Sequence, residues 1–533
     1  MYIDNKILIG KNSEKELFIV PDKANRHGLI TGASGSGKTI TLKVMAESFS
    51  SMGVPVFLAD VKGDLAGTCM PGEASEKIRE RLEGIGITNF DYKGFPVVFW
   101  DVFGKGGHPI RTTLQSIGPT ILSRMLGLNE TQEGVLAIIF KIARENGYEL
   151  VDLKDLRLLL QYVAENSKEY TISYGNIASQ SVGTIQRSLL MLEEQGGNYF
   201  FGEPAIDIND FIKVNNNGLG NINILHCVEL FKQPTLYACF LLWLLSALNS
   251  NLPEVGDLDK PKMVFFFDEA HLLFDELPSY MLTSVTQIVK LIRSKWIWLY
   301  FISQSPKDIP DEILAQLGNK VQHTLRAYTP AEQKTIKAVA DSFRANPAFN
   351  TEEAITSLGT GEALISFMNE KGEPNIVEKA TILPPQSQMG AIDDSIRLMV
   401  VARSEFNGKY DTVIDRVSAF EILSEEMQGK KAAEEEQKAK EQEAKEQEKA
   451  EKEAEKQKKE EEKIRKEEEK AEEKARKEEE KKQKELEKEA EKERKNSWQY
   501  KVGKQAERTA NSTINSVARK VATQILKNIF GGK

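Results

Sequence analysis

Hydrophobic positions in this chain come in short runs cut apart by polar or glycine-rich stretches, and their period changes along the sequence. ILIG and LFIV flank the polar stretch Lys11–Lys15 and predict two short strands before Pro21. HGLIT (His27–Thr31) predicts a strand entering a glycine-rich turn, with a helix over Thr39–Ser50 behind it. Further buried strands are predicted at Val54–Ala59, Pro96–Trp100, Ile222–His226, Met263–Phe267, Leu299–Ser303, Val321–Leu325 and Glu362–Phe367. Such runs, apolar throughout rather than alternating, suit strands covered on both faces. Between Thr112 and Asn198 the spacing turns helical: Val135, Ile138, Ile139 and Ile142 share one face, as do Leu153, Leu156, Leu159 and Leu160. The expected fold is α/β, an open and mostly parallel sheet interrupted by a helical insertion.

Charge sharpens the partition. Charged residues make up 28% of the chain and crowd into Gly429–Lys495, a Glu/Lys/Ala/Gln tract in which Glu and Lys recur at i, i+4. Ile464 and Leu486 are nearly its only large apolar residues, so it lacks the seam a coiled coil needs. A long charged C-terminal helix of about 100 Å is expected, with a disordered polyampholyte as the competing reading. Beyond it, Ile514, Val517, Val521, Ile525 and Ile529 fall on one face of Asn511–Phe530, an amphipathic helix for an unidentified protein partner or a membrane interface. The expected units are a β segment (1–25), a first core part (26–104), the insertion (105–215), a second core part (216–423), the charged tract (424–496) and the amphipathic end (497–533).

Composition excludes some classes. Leu236–Leu248 is shorter than the ~20 residues of a membrane span and reads as a buried helix. The opening residues, MYIDNKILIGK, lack a signal-peptide core. Cys69, Cys227 and Cys239 show no disulfide or zinc spacing, as expected of a cytoplasmic chain. A net charge of −9 argues against a broad basic surface for nucleic acid, but not against positive charge confined to a pore.

The chemistry concentrates in a few motifs. GASGSGKT comprises Gly32, Ala33, Ser34, Gly35, Ser36, Gly37, Lys38 and Thr39, between a predicted strand and a predicted helix. Glycines there let backbone N–H groups turn toward phosphate oxygens at a helix N-terminus. Lys38 is expected on the β- and γ-phosphates of ATP and Thr39 on magnesium (Mg2+). KMVFFFDEAH ends a buried strand in two carboxylates: Asp268 for the metal, Glu269 to polarise the attacking water. Gln304, at the tip of the strand ending at Ser303, is a candidate γ-phosphate sensor, with a plain turn ahead of Pro306 as the alternative. Arg293 and Arg326 are each either an arginine acting on a neighbouring subunit's nucleotide or an ordinary surface residue. In ADVKGDL, Lys62 and Asp64 either approach phosphates or substrate, or belong to a capped turn around Gly63. His271 reads as structural or as a relay, while His27 and Asn25 are weak candidates for contact with adenine.

Taken together, RHGLITGASGSGKT, PVFLADVKGDLAG, FFFDEAH and FISQSPKDIPDEILAQLGNKVQHTLRAYTP resemble the HerA/FtsK group of P-loop ATPases, and most nearly its bacterial HerA-like branch typified by the YjgR proteins. The resemblance runs from about Arg26 to Leu423. It implies a RecA-like P-loop NTPase core and a homo-oligomeric ring, a hexamer, with ATP between subunits. Lys38, Thr39, Asp268, Glu269 and Gln304 match its nucleotide and metal positions, and Arg293 and Arg326 its two arginines. It implies a motor acting on double-stranded DNA; a nucleotide-controlled assembly or scaffold ATPase, or a secretion- or conjugation-type ATPase, are the alternatives. Two departures stand out. The residues before Arg26 are too few for the β-barrel of HerA itself, and Trp296 and Trp298 occupy positions where the group often has small residues, which bears on the interface around Arg293.

Overall fold

Thirteen strands form one sheet in the computed structural model, which describes residues 1–21, 26–256, 258–275 and 279–496. Asn25 and the amphipathic segment Asn511–Phe530 lie outside the described residues. The strands are β1 (Tyr2–Ile3), β2 (Lys6–Lys11), β3 (Glu16–Ile19), β4 (His27–Thr31), β5 (Val56–Asp60), β6 (Val97–Asp101), β7 (His108–Pro109), β8 (Ile222–His226), β9 (Met263–Phe267), β10 (Ile297–Ser303), β11 (Leu317–Gln322), β12 (Glu362–Ser366) and β13 (Glu378–Ile382). Their order is β1-β2-β13-β12-β11-β4-β10-β9-β5-β8-β6-β7, with β3 paired to β2. Every neighbouring pair from β11 to β7 is parallel, and every pair on the other side, from β11 outward to β1, is antiparallel. This is the expected mixed α/β, mostly parallel, RecA-like fold.

Alternation along each apolar strand builds two cores, one per face. Val264 and Phe266 of β9 pack with Val56, Leu58, Trp298, Tyr300 and the helix α1 (Lys38–Ser51). Phe265 and Phe267 point the other way, into a cluster shared with the insertion and the helix Pro234–Asn251. Each buried aromatic or aliphatic side chain contributes about 1.5–3 kcal/mol, so strands apolar on both faces hold both layers to the sheet. Aromatic rings run across the strands: Phe266 stacks on Tyr300 at 5.1 Å, Phe267 on Phe301 at 5.5 Å, and Phe49 of α1 meets Trp298 edge-on at 5.8 Å. Trp298 is thus a core residue, and Trp296 is also buried, so neither side chain forms a surface beside Arg293. Leu236 to Leu245 are buried on every side of their helix because it lies between the sheet and the insertion. Among the described residues, no helix is long and apolar enough to cross a membrane.

The insertion contributes Leu114–Met125, Glu130–Asn146, Leu153–Glu165, Ser167–Tyr174 and Ser179–Glu194 as helices. Two of them begin with reciprocal caps, Asn129 with Gln132 and Asp152 with Asp155. Asp155 also anchors the start of the helix Ala419–Asn496: its Oδ1 accepts from Ser418 Oγ at 2.6 Å and Phe420 N at 2.8 Å, and Ala419 and Leu423 are buried in the insertion's core.

The chain divides into two units, Met1–Lys431 and Ala432–Lys533. In the second, every side chain from 432 to 490 is exposed and the helix carries i, i+4 pairs such as Glu448–Lys452, Glu455–Lys459 and Glu462–Lys466. Exposed pairs of this kind stabilise a helix weakly and are screened by salt. Far-UV circular dichroism of the full chain is therefore expected to lose helical signal as salt rises to about 1 M, and a chain ending at Lys431 to show no such loss.

Candidate functional site

The carboxyl ends of four parallel strands meet at one edge of the sheet. Ser303 of β10 lies beside Thr31 of β4, Phe301 beside Phe267 of β9, and Ala59 of β5 beside Phe267 on its other side. The residues that follow these ends are the glycine-rich loop, Gln304, the Asp268–Glu269 pair and the Lys62 loop. The fold therefore brings together, at the usual ligand edge of a parallel sheet, motifs more than 200 residues apart.

The loop after β4 adopts conformations open chiefly to glycine, with φ of 153° at Gly32, 74° at Gly35 and 116° at Gly37, the cap of α1. A Cβ at Gly32 would stand 2.5 Å from that of His323. Two backbone bonds hold the loop in shape: Ala33 N donates to Thr324 O at 2.8 Å, and Ser36 O accepts from Gly361 N at 3.0 Å. Lys38 Nζ folds over it, donating to Gly32 O at 2.8 Å and Ala33 O at 3.2 Å. Burial lowers the Lys38 pKa, against the opposing pull of Glu269 and Asp268. Ser36 Oγ is buried with no hydrogen-bond partner among the described residues. A glycine-rich loop of this shape at a helix N-terminus is suited to an oxyanion.

Asp268 is buried, and burial together with the adjacent Glu269 pushes its carboxyl up to about 7. Glu269 is also buried and takes φ 49°, a left-handed backbone that costs a non-glycine residue about 1 kcal/mol or more. Glu269 N donates to Asp268 Oδ1 at 3.0 Å. Its Oε1 accepts from Lys62 Nζ, while Oε2 has no hydrogen-bond partner among the described residues and lies 3.3 Å from His271 Nδ1. Among the described residues no group of three or more His, Cys, Asp or Glu forms a metal cage. Magnesium needs none, because it is held by one or two carboxylates together with phosphate and water oxygens. The Thr39 hydroxyl and the Asp268 carboxylate are hard donors of that kind, and a carboxylate so costly to charge alone is stabilised by a cation.

The capped turn expected in ADVKGDL is present around Gly63. Asp60 caps the turn, its Oδ1 accepting from Gly63 N at 2.7 Å and its Oδ2 from Leu65 N at 3.3 Å, while Lys62 reaches Glu269. Gln304 is exposed at the site edge, and the turn beyond it is capped by Asp308, which accepts from Ser303 Oγ and from Ser305 N at 2.9 Å. Arg326 is exposed just past β11, two residues after the loop contact at Thr324. Arg293 lies elsewhere, exposed in the turn Ile292–Lys295 at the amino end of β10. The length of that strand puts it about 20 Å from its own chain's glycine-rich loop.

His27 is a pin within the sheet. Its Nε2 lies 2.8 Å from Val289 O and its Nδ1 accepts from Leu299 N at 3.1 Å, which leaves no nitrogen for adenine. Burial lowers its pKa to about 4, so the ring is neutral with the proton on Nε2. His27→Ala is expected to cost about 2–4 kcal/mol, by orphaning two buried backbone groups and opening a cavity, read as a lowered Tm with nucleotide affinity unchanged.

Gln322 and His323 lie inside a stretch that resembles the HerA/FtsK group, yet the sequence assigns them no role. Thr31 Oγ1 donates to Gln322 Oε1 at 2.6 Å, and His323 bridges α1 to β12 through Thr41 Oγ1 at 2.8 Å and Glu362 O at 2.9 Å. A carbonyl only accepts, so the His323 proton sits on Nδ1 and Nε2 accepts from Thr41; burial, with a pKa near 4, keeps the ring neutral. Polar side chains at the end of a strand otherwise buried were the one available signal.

The sequence profile of the family described as Helicase HerA-like C-terminal matches residues 5–469. The DNA double-strand break repair helicase HerA of Sulfolobus acidocaldarius is 22% identical over 411 residues, covering 73% of this chain and 70% of that protein. HerA of Sulfurisphaera tokodaii is 23% identical over 382 residues, covering 68% and 67%. Among solved structures, the plasmid coupling protein TrwB in complex with ADP and Mg2+ is 16% identical with a TM-score of 0.45, covering 69% of this chain and 87% of that one.

Proposed function

This chain belongs to the Helicase HerA-like C-terminal family and is a P-loop ATPase, and on that premise we propose that it is a ring motor coupling hydrolysis of magnesium-ATP to movement of double-stranded DNA. The observation that carries the reading is the meeting of the Gly32–Thr39 cradle with Asp268 and Glu269 at one sheet edge, with β10 between their strands. In this proposal the loop amides grip the phosphates, and Lys38 leaves the Gly32 and Ala33 carbonyls for the β- and γ-oxygens. Thr39 and Asp268 hold magnesium, which when bound supplies charge to offset that of the phosphates. Glu269 orients the attacking water, and Gln304 follows the presence of the γ-phosphate.

Because Arg293 lies at the opposite end of β10 from its own loop, it acts across a subunit boundary in this scheme, as does Arg326 from the nearer edge. Arg293→Ala is then expected to lower turnover by about tenfold or more while leaving nucleotide affinity within about twofold; an unchanged turnover assigns Arg293 to the ordinary surface. The ring is a hexamer in the cytoplasm, and the charged helix and the residues beyond it present a site for a protein partner. The deciding experiment measures ATP hydrolysis by the purified protein with and without double-stranded DNA, alongside its native mass. Stimulation by DNA and a six-copy mass are expected. Hydrolysis indifferent to every nucleic acid favours an assembly, scaffold or secretion-type ATPase instead.

A further inference from the structure

We propose that Lys62 is a brake on Glu269, a positioning residue that holds the water-directing carboxylate turned toward β5 until a phosphate oxygen draws the lysine away. The inference rests on the ATPase reading of this site and adds a mode of regulation to it.

Four observations support it. The strand order is β4-β10-β9-β5, so Lys62 approaches Glu269 from the side opposite β4 and its phosphate-binding loop. Its ammonium on Oε1 therefore draws that oxygen away from where a γ-phosphate and its attacking water would lie. Second, Lys62 makes the one hydrogen bond that this side chain receives among the described residues: Lys38 is occupied with Gly32 O and Ala33 O, and Glu269 Oε2 has no hydrogen-bond partner there, only His271 Nδ1 at 3.3 Å. Third, the Lys62 loop is fixed independently of that side chain, by the two bonds Asp60 accepts from Gly63 N and Leu65 N. The pair thus has one anchored end and one mobile arm.

Fourth, the two partners differ in exposure. The Glu269 side chain is 6% exposed and that of Lys62 is 54% exposed. A pair with one wet partner is weak and exchangeable, so it contributes little as a structural staple. Anions in solution or in the active site reach its ammonium. A carboxylate that directs water must come within hydrogen-bond reach of that water with a lone pair free. Lys62 takes a lone pair of Oε1 and fixes its direction. A phosphate oxygen, whether from the nucleotide or from a DNA backbone, competes for the same ammonium and frees the carboxylate.

The test uses the full-length protein and Lys62→Met, which keeps the length of the side chain without its charge. Expected is a rise in DNA-free kcat of about fivefold or more with KM for ATP within about twofold, and a return toward the wild-type rate in Lys62→Arg. A general structural defect does not raise kcat. Steady-state rates with double-stranded DNA identify the releasing phosphate. If the DNA stimulation of Lys62→Met shrinks by the factor its basal rate has gained, the releasing phosphate is that of DNA. If the stimulation factor is unchanged, it is that of the nucleotide. Wild-type turnover that Lys62→Met lowers or leaves unaltered overturns the brake alone. No turnover by either protein sinks the ATPase reading and the brake together.

Discussion

Replacing Lys38 with alanine is expected to cut ATP turnover by about 10²–10³-fold, equivalent to about 2.7–4 kcal/mol of transition-state stabilisation, with little change in the fold. Among the described residues the ammonium donates to the carbonyls of Gly32 and Ala33. Those are bonds within a loop whose shape is already set by Ala33 N on Thr324 O and Gly361 N on Ser36 O. Removing the amine therefore releases a buried cation and leaves the scaffold in place, so Tm should move by no more than about 3 °C. Catalysis depends on the amine far more. Phosphoryl transfer spreads charge over the γ-phosphoryl oxygens, and a buried, prepositioned ammonium offsets that charge without reorganisation. Loss of nucleotide affinity should accompany the loss of rate, because the same amine meets the ground-state phosphates. A Lys38→Ala protein retaining more than about a tenth of wild-type kcat places the phosphates elsewhere.

The core strands were legible because their sequences permit nothing else of that length. MVFFF at β9 and IWLYFIS at β10 are apolar on both faces and bounded by turns, and they are buried throughout. The glycine-rich loop was legible residue by residue, since its backbone conformations and its chemistry demand the same letters. Other elements carried weaker signals. β11 begins at Leu317, four residues before the apolar pattern does, because Asn319 and Lys320 sit in register with Gly28 and Leu29 of β4 and are paired through the backbone. β13, EKATI, reads as polar because it pairs toward the antiparallel side of the sheet and alternates in burial. Which individual side chains of distant motifs bond to one another was not legible. Lys62 and Glu269 are 207 positions apart, and Thr41 and His323 are 282 apart. Their meeting follows from strand order, which periodicity does not encode.

Glu269→Gln separates binding from chemistry, and it is expected to lower kcat by about 10²–10⁴-fold with ATP affinity retained. The amide has the shape of the carboxylate, so the left-handed backbone and the hydrogen bond from Glu269 N to Asp268 Oδ1 survive the change. Lys62 loses its ion-pair partner but is half exposed and regains water. Asp268 loses an adjacent negative charge that now helps to raise its pKa, so it carries its own charge more readily. Metal and nucleotide binding should therefore hold or tighten while the attacking water loses the group that polarises it. Direct binding measurements and steady-state turnover on the same preparation distinguish this from Lys38→Ala, which is expected to lose both. The contrast assigns Lys38 to phosphates bound in ground and transition states alike, and Glu269 to the water alone. Turnover by Glu269→Gln within about tenfold of wild type would move the base to another residue and leave the left-handed turn at Glu269 without a catalytic reason.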